Sequence, residues 1–326
     1  MKELYAGVDI HKESYVGCIM DERGKVVFEK SFPPTKEGVQ SFLCGMPVKS
    51  VAVEACGMWR ASMKLFREQG YDFKLTSPKK TKDIACKKKT DKVDAKTLAN
   101  LLRTGFLPEV YIPSEEMLIY RDIARHKEEI THWKTQSRAE IKSYLLRDGI
   151  KYPDKLWTVD GLKWLSSLDN LNLSNLLRIF KQICLEEKEA LTRIKKISSS
   201  MNLTNILMTM PGIAEFSSLM ILEEIADINR FPTAKHLVMY AGLCPGIYQT
   251  GKTERSVSNN AVNKHLKWII IECSGRASIM KGTRFQEHFA KICKRKGAKV
   301  ARRSTARKML TIIWHMLKNE EPYHAS

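Results

Sequence analysis

The sequence predicts an α/β layer followed by a long helical region, an α/β plus α chain. Three observations carry this reading. In the first third, apolar runs of strand length alternate with turn signals and then with helical patterns. After Ser114 the strand signals stop, and apolar residues recur at helical spacing over many turns. At 326 residues and 43 % hydrophobic content, the chain can also bury more than one core.

The elements follow in order. LYAGVDI, from Leu4 to Ile10, is an apolar run that includes Asp9. YVGCIM and KVVFEKSF come next, separated by the turn signal DERGK, so three successive strands form an antiparallel meander. SVAVEACG is an apolar strand containing Glu54. MWRASMKLFREQG is an amphipathic helix stopped by Gly70, YDFKLT a further strand, and KTDKVDAKTLANLLRTG a helix with Leu98, Leu101 and Leu102 on its apolar side. Beyond Ser114, a plausible-cap serine followed by acids, one long helix runs to a stop at Gly149, and LSNLLRIFKQICLEEKEALTRIKKISSS makes a second. Two long helices joined by a loop predict a helical hairpin or coiled coil that serves as a spacer or dimerisation arm. Pro211 and Gly212 then break the chain between apolar helical stretches, a pattern similar to a helix–hairpin–helix turn.

Charge narrows the function classes. Lys and Arg number 55 against 36 Asp and Glu, a net charge of +19, which calls for a polyanionic partner, most simply nucleic acid. Between Lys281 and Lys308 only Glu287 opposes eleven Lys and Arg residues, and Lys294, Arg295, Arg302 and Arg303 are the candidate phosphate contacts there. The first residues lack the apolar core of a secretory signal, and no run approaches the ~20 apolar residues of a membrane span. Eight scattered cysteines include no CxxC pair, which argues against zinc and against a disulfide framework. The expectation is a cytoplasmic protein with reduced thiols.

Four carboxylates carry the chemical signal. Asp9 and Glu54 sit at predicted strand ends, which are rigid and open onto a crevice in an α/β sheet. Asp91 and Asp94 are three apart on a predicted helix and share a face. Singly, each has an ordinary explanation: a turn residue, a helix N-cap at Asp91, a surface ion pair. Jointly, they would repel unless a divalent cation such as Mg2+ or Mn2+ met them. Two such ions assist phosphodiester cleavage. The helical pair also lies in a lysine-rich stretch that includes Lys87, Lys88 and Lys89, as a site acting on a polyanion requires.

GVDIHKES, VAVEACGMW and KKTDKVDAKTLANLLRTG resemble the three acidic blocks of the DEDD-type insertion-sequence transposases, a family that includes bridge-RNA-guided recombinases and Piv-type DNA invertases. LMTMPGIAEFSSLMIL, FPTAKHLVMYAGLCPGIYQTGKTERS and VARRSTARKMLTIIWHMLKN fit the later blocks in order, so the resemblance spans nearly the whole chain. It implies a RuvC-like, RNase H-type domain over 1–113 with Asp9, Glu54, Asp91 and Asp94 as metal ligands, a helical coiled-coil region over 114–200, and a mainly helical transposase domain with a basic tail over 201–326. It also implies DNA and a guide RNA as partners, a homo-oligomer (dimer or tetramer), and a bacterial or archaeal, nucleoid-associated setting. Finally, it implies a hydroxyl nucleophile in the loop after Gly242-Leu243-Cys244-Pro245. Where the family carries serine before a glycine, this chain has Thr250 before Gly251, with Lys252 and Arg255 nearby as phosphate contacts and Ser256 and Ser258 as rival hydroxyls. Three activities follow: a DNA transposase or recombinase, a RuvC-like nuclease without covalent capture, and a nucleic-acid-binding relative without catalysis.

Overall fold

The computed structural model describes residues 3–84, 90–244, 246–250, 253–257 and 262–324, with 246–250 and 253–257 described as backbone. The chain divides into two compact units, Met1–Ile112 and Pro113–Ser326.

The first unit is built on a five-stranded sheet of β1 (Leu4–Ile10), β2 (Tyr15–Met20), β3 (Val26–Phe32), β4 (Val48–Glu54) and β5 (Asp72–Thr76), in the order β3-β2-β1-β4-β5. The expected meander is present: β1, β2 and β3 pair antiparallel, while β4 and β5 add in parallel on the other side of β1. The β2–β3 turn is held by Asp21, whose Oδ1 accepts from the backbone N–H groups of Arg23 and Lys25 at 3.0 and 2.8 Å. Parallel strands need crossovers, and α1 (Lys36–Leu43) and α2 (Trp59–Arg67) lie in the connections between β3 and β4 and between β4 and β5.

Strand alternation sorts β1 between two faces. Ala6, Val8 and Ile10 enter the main core with Tyr15, Phe32, Phe42, Phe66 and Phe73. Gly7 and Asp9 point the other way, toward α4 (Asp91–Arg103). Gly7 is what lets this helix sit against the sheet. A Cβ there would stand 2.3 Å from both the Ala95 carbonyl oxygen and the Ala99 nitrogen. Ala95 and Ala99, small residues one turn apart, complete the contact with Cys18 and Met20 of β2.

The second unit contains α5 (Glu115–Arg147), α6 (Val159–Ser167), α7 (Leu171–Ser200), α8 (Asn202–Met208), α9 (Glu215–Ile225), α10 (Ala234–Tyr240), the hairpin β6 (Gly246–Thr250) and β7 (Thr253–Val257), then α11 (Lys264–Ala277), α12 (Arg284–Lys296) and α13 (Ala298–Asn319). The two long helices are α5 and α7, capped by Ser114 and Asn170. Their far ends close over α6 in a small core around Ile141, Leu165, Leu173 and Phe180. The larger core gathers around α9, which is buried from Ser217 to Ile225 and so carries apolar residues on every side. The Pro211-Gly212 turn packs on α11, since a Cβ on Gly212 would meet the Cys273 carbonyl oxygen at 2.6 Å. No helix among the described residues is long and apolar enough to cross a membrane.

Candidate active site

Asp9 lies one residue before the end of β1, on the face covered by α4. Two strand residues span about 6.8 Å and one helical turn about 5.4 Å. Moving from Gly7 to Asp9 therefore moves one turn back along α4, from Ala95 to its first turn. That turn carries Asp91 and Asp94. The helix begins there because Thr90 caps it, its hydroxyl accepting from Val93 N at 3.3 Å. Asp91 is thus the first helical residue rather than the cap. The positive end of the helix dipole favours both acids.

Glu54 closes β4, the parallel neighbour of β1. The last registered pair is Val8 with Val53, so Asp9 and Glu54 are the next residues on adjacent strands. Alternation places both on the α4 face.

A further residue meets Asp9 and Asp91. His11, two beyond Asp9 and on the same alternation, holds Nε2 3.1 Å from Asp9 Oδ2 and 3.4 Å from Asp91 Oδ2. Among the described residues, Asp9, His11 and Asp91 form the group whose ligand atoms all lie within 4.8 Å of one another. Burial raises the Asp9 carboxyl above the ordinary carboxylate range; His11 pulls it down, while the charges of Asp91 and Asp94 push it further up. Asp94 therefore acts on Asp9 electrostatically. A divalent cation suits this donor set, because carboxylates that crowd one another share a cation readily and His11 leaves half its side chain exposed to the entering ion. His11 lies just past the end of β1, where the apolar pattern no longer marks a strand. Its signal was the period-two series Gly7, Asp9, His11.

The candidate nucleophile lies in the second unit. Thr250 is the last residue of β6 and pairs with Thr253 of β7 across the hairpin; Ser256 pairs with Ile247. The side chains of Thr250, Arg255 and Ser256, and Lys87, Lys88, Lys89, Lys252 and Ser258 entirely, lie outside the described residues.

The hairpin leads into α11, whose cap, Asn263, is tied to a buried charge network. Asn263 Oδ1 accepts from Leu266 N at 2.9 Å, and its Nδ2 donates to Glu224 Oε2 at 2.7 Å and to the Tyr240 hydroxyl at 2.9 Å. Arg125 holds Glu224 with two hydrogen bonds at 2.6 and 3.0 Å. The signal was two adjacent glutamates inside the apolar run LMILEEI, with Arg121 and Arg125 one turn apart on a preceding helix.

Lys294, Arg295, Arg302 and Arg303 are all exposed on α12 and α13. Gly297, at φ 80°, separates the two helices. Positive charge is crowded there. Burial and Arg284 hold the Lys308 ammonium below its ordinary value, and burial, Lys308 and Lys291 do the same to His288. An anion lying on this surface would relieve that repulsion.

Comparison with known proteins gives the family. Residues 6–147 match a DEDD transposase model of IS110 type, and residues 204–290 match the transposase IS116/IS110/IS902 family. A putative transposase, y4qE, of Sinorhizobium fredii is 25 % identical over 84 % of this chain and 71 % of its own length. The transposase for insertion sequence element IS1111A of Coxiella burnetii is 22 % identical over 99 % of this chain and 92 % of its own. The pilin gene-inverting protein of Moraxella bovis is 23 % identical over 99 % of this chain and 98 % of its own. With two family models in the expected order and full-length relatives on both sides, the chain belongs to the IS110-type DEDD transposases.

Proposed function

We propose that this chain cuts and rejoins DNA phosphodiester bonds through a metal-assisted site in its first unit and a hydroxyl nucleophile in its second. Asp9, Glu54, Asp91 and Asp94 would hold one or two Mg2+ or Mn2+ ions. The bound cations would offset charge on the phosphate under attack. The Thr250 hydroxyl gives up its proton as its oxygen attacks phosphorus and forms a new P–O bond. The deoxyribose oxygen leaves and takes up a proton, giving a threonyl phosphodiester on the DNA. That linkage conserves the broken bond, so the reverse attack by a second DNA hydroxyl rejoins the strand without an outside energy source. Threonine has the hydroxyl this needs, though its methyl group crowds the approach.

The observation that carries the reading is the meeting of Asp9 with Asp91, and electrostatically with Asp94, at the end of β1 in a chain of the DEDD family. Lys294, Arg295, Arg302 and Arg303 then hold nucleic acid by its backbone, the Lys87–Lys89 run and Lys252 and Arg255 add contacts, and a structured RNA guides target choice. A homo-oligomer, joined through α5 and α7, holds two DNA ends at once.

Replacing Asp9 with Asn tests the site. Cleavage of DNA carrying the element's ends, in Mg2+ or Mn2+, should be lost while the circular dichroism spectrum stays that of the parent. Full cleavage by Asp9→Asn would remove Asp9 from the site.

A further inference from the structure

We infer that His11 is a ligand of the divalent cation, so that the centre has mixed nitrogen and oxygen donors and prefers Mn2+ to Mg2+. The inference rests on the metal-site reading above and deepens it.

His11 Nε2 is within hydrogen-bond reach of Asp9, and the same geometry suits coordination of one cation by all three side chains, Asp9, His11 and Asp91. Nε2 stands between two carboxylates from different elements, 3.1 Å from Asp9 Oδ2 and 3.4 Å from Asp91 Oδ2. In an octahedral centre with bonds of about 2.1 Å, neighbouring donors are about 3.0 Å apart. Both distances are close to that spacing, and all three donors lie within 4.8 Å of one another. The carboxylates are brought together by β1 and α4, and His11 arrives by strand alternation from Asp9. Its side chain is 49 % exposed and Asp9's 17 %, so the imidazole lies at the solvent edge of a largely buried carboxylate.

The ligand type sets the choice of metal. Mg2+ favours oxygen donors, keeps its waters and gains little from imidazole. First-row transition ions accept nitrogen more readily, and affinity rises from Mn2+ onward along the series. One imidazole therefore shifts the balance toward Mn2+ without removing the carboxylates that either ion uses.

The test is pulsed electron paramagnetic resonance on the full-length protein loaded with Mn2+, in the absence of DNA. Wild type should show nitrogen modulation of the Mn2+ signal, altered when histidine is 15N-labelled and lost in His11→Ala. The labelled wild type guards against a variant that misfolds. In titrations of Mn2+, with Mg2+ as competitor, His11→Ala should weaken Mn2+ binding by roughly tenfold and Mg2+ binding by less. Mn2+ bound in an Asp9-dependent way but without nitrogen modulation, or an equal loss for both ions, overturns the inference while leaving the carboxylate site standing. Mn2+ binding that is absent, or indifferent to Asp9→Asn, overturns the carboxylate site and this inference with it.

Discussion

Glu223 and Glu224 are neighbours on a buried helix, yet their surroundings drive them apart. Burial would raise Glu224, but the hydrogen bonds and charge of Arg125, then Arg121 and Asn263, hold it below the ordinary range. Glu223 has no such hydrogen bonds to its carboxyl oxygens, and burial, then the charge of Glu224, push it up to about 9 against the opposing pull of Arg121 and Arg125. The folded chain therefore keeps a proton on Glu223 that the unfolded chain releases near 4.5. Stability from this group is complete below 4.5 and falls as pH rises toward 9. Glu223→Gln keeps the shape and cannot titrate. Its melting temperature should gain on that of the parent as pH is raised from 5 to 9; a difference constant across that range would contradict the assignment. The same scale shows what sequence could reveal. Asp9 and Glu54 were legible as acids at strand ends, and Asp91 and Asp94 by their spacing of three. His11 needed the alternation of β1 carried one step past the strand. The network of Arg121, Arg125, Glu224 and Asn263 joins residues about a hundred positions apart, and only tertiary contact reveals it.

At the scale of elements, the contact between β1 and α4 aligns the candidate site. The meander, the two later strands and both long helices were legible, because each carries an apolar run or period and clear breaks; that β4 and β5 pair in parallel was not. The hairpin of β6 and β7 was not. GIYQTGKTERS lies between helices, and its polar residues lack a clean alternation. The short α1 and α6 also escaped, each supplying too few turns to set a period. The role of Gly7 was invisible because it depends on an approach by residues nearly ninety positions later. Gly7→Ala should push α4 away, since the new methyl meets backbone atoms that cannot swing aside. The expected cost is about 1–3 kcal/mol in denaturant melts, together with weaker Mn2+ binding as Asp91 moves from Asp9. Unchanged stability and metal affinity would show that α4 is not seated by this contact.

For the whole molecule, the net charge of +19 and the crowded cations of α12 and α13 fit a protein that works on nucleic acid. Family membership makes that work DNA strand exchange. The central claim of the proposed function is that the Thr250 hydroxyl is the nucleophile of a cleavage that also needs the carboxylate of Asp9. It is tested most directly by trapping the full-length protein on a suicide DNA substrate bearing the element's ends, digesting the complex and identifying the DNA-linked peptide by mass spectrometry. The adduct should lie on Thr250, persist in Thr250→Ser and disappear in Thr250→Val and in Asp9→Asn. An adduct that survives Thr250→Val and maps to Ser256 or Ser258, or cut ends carrying no adduct, would contradict it.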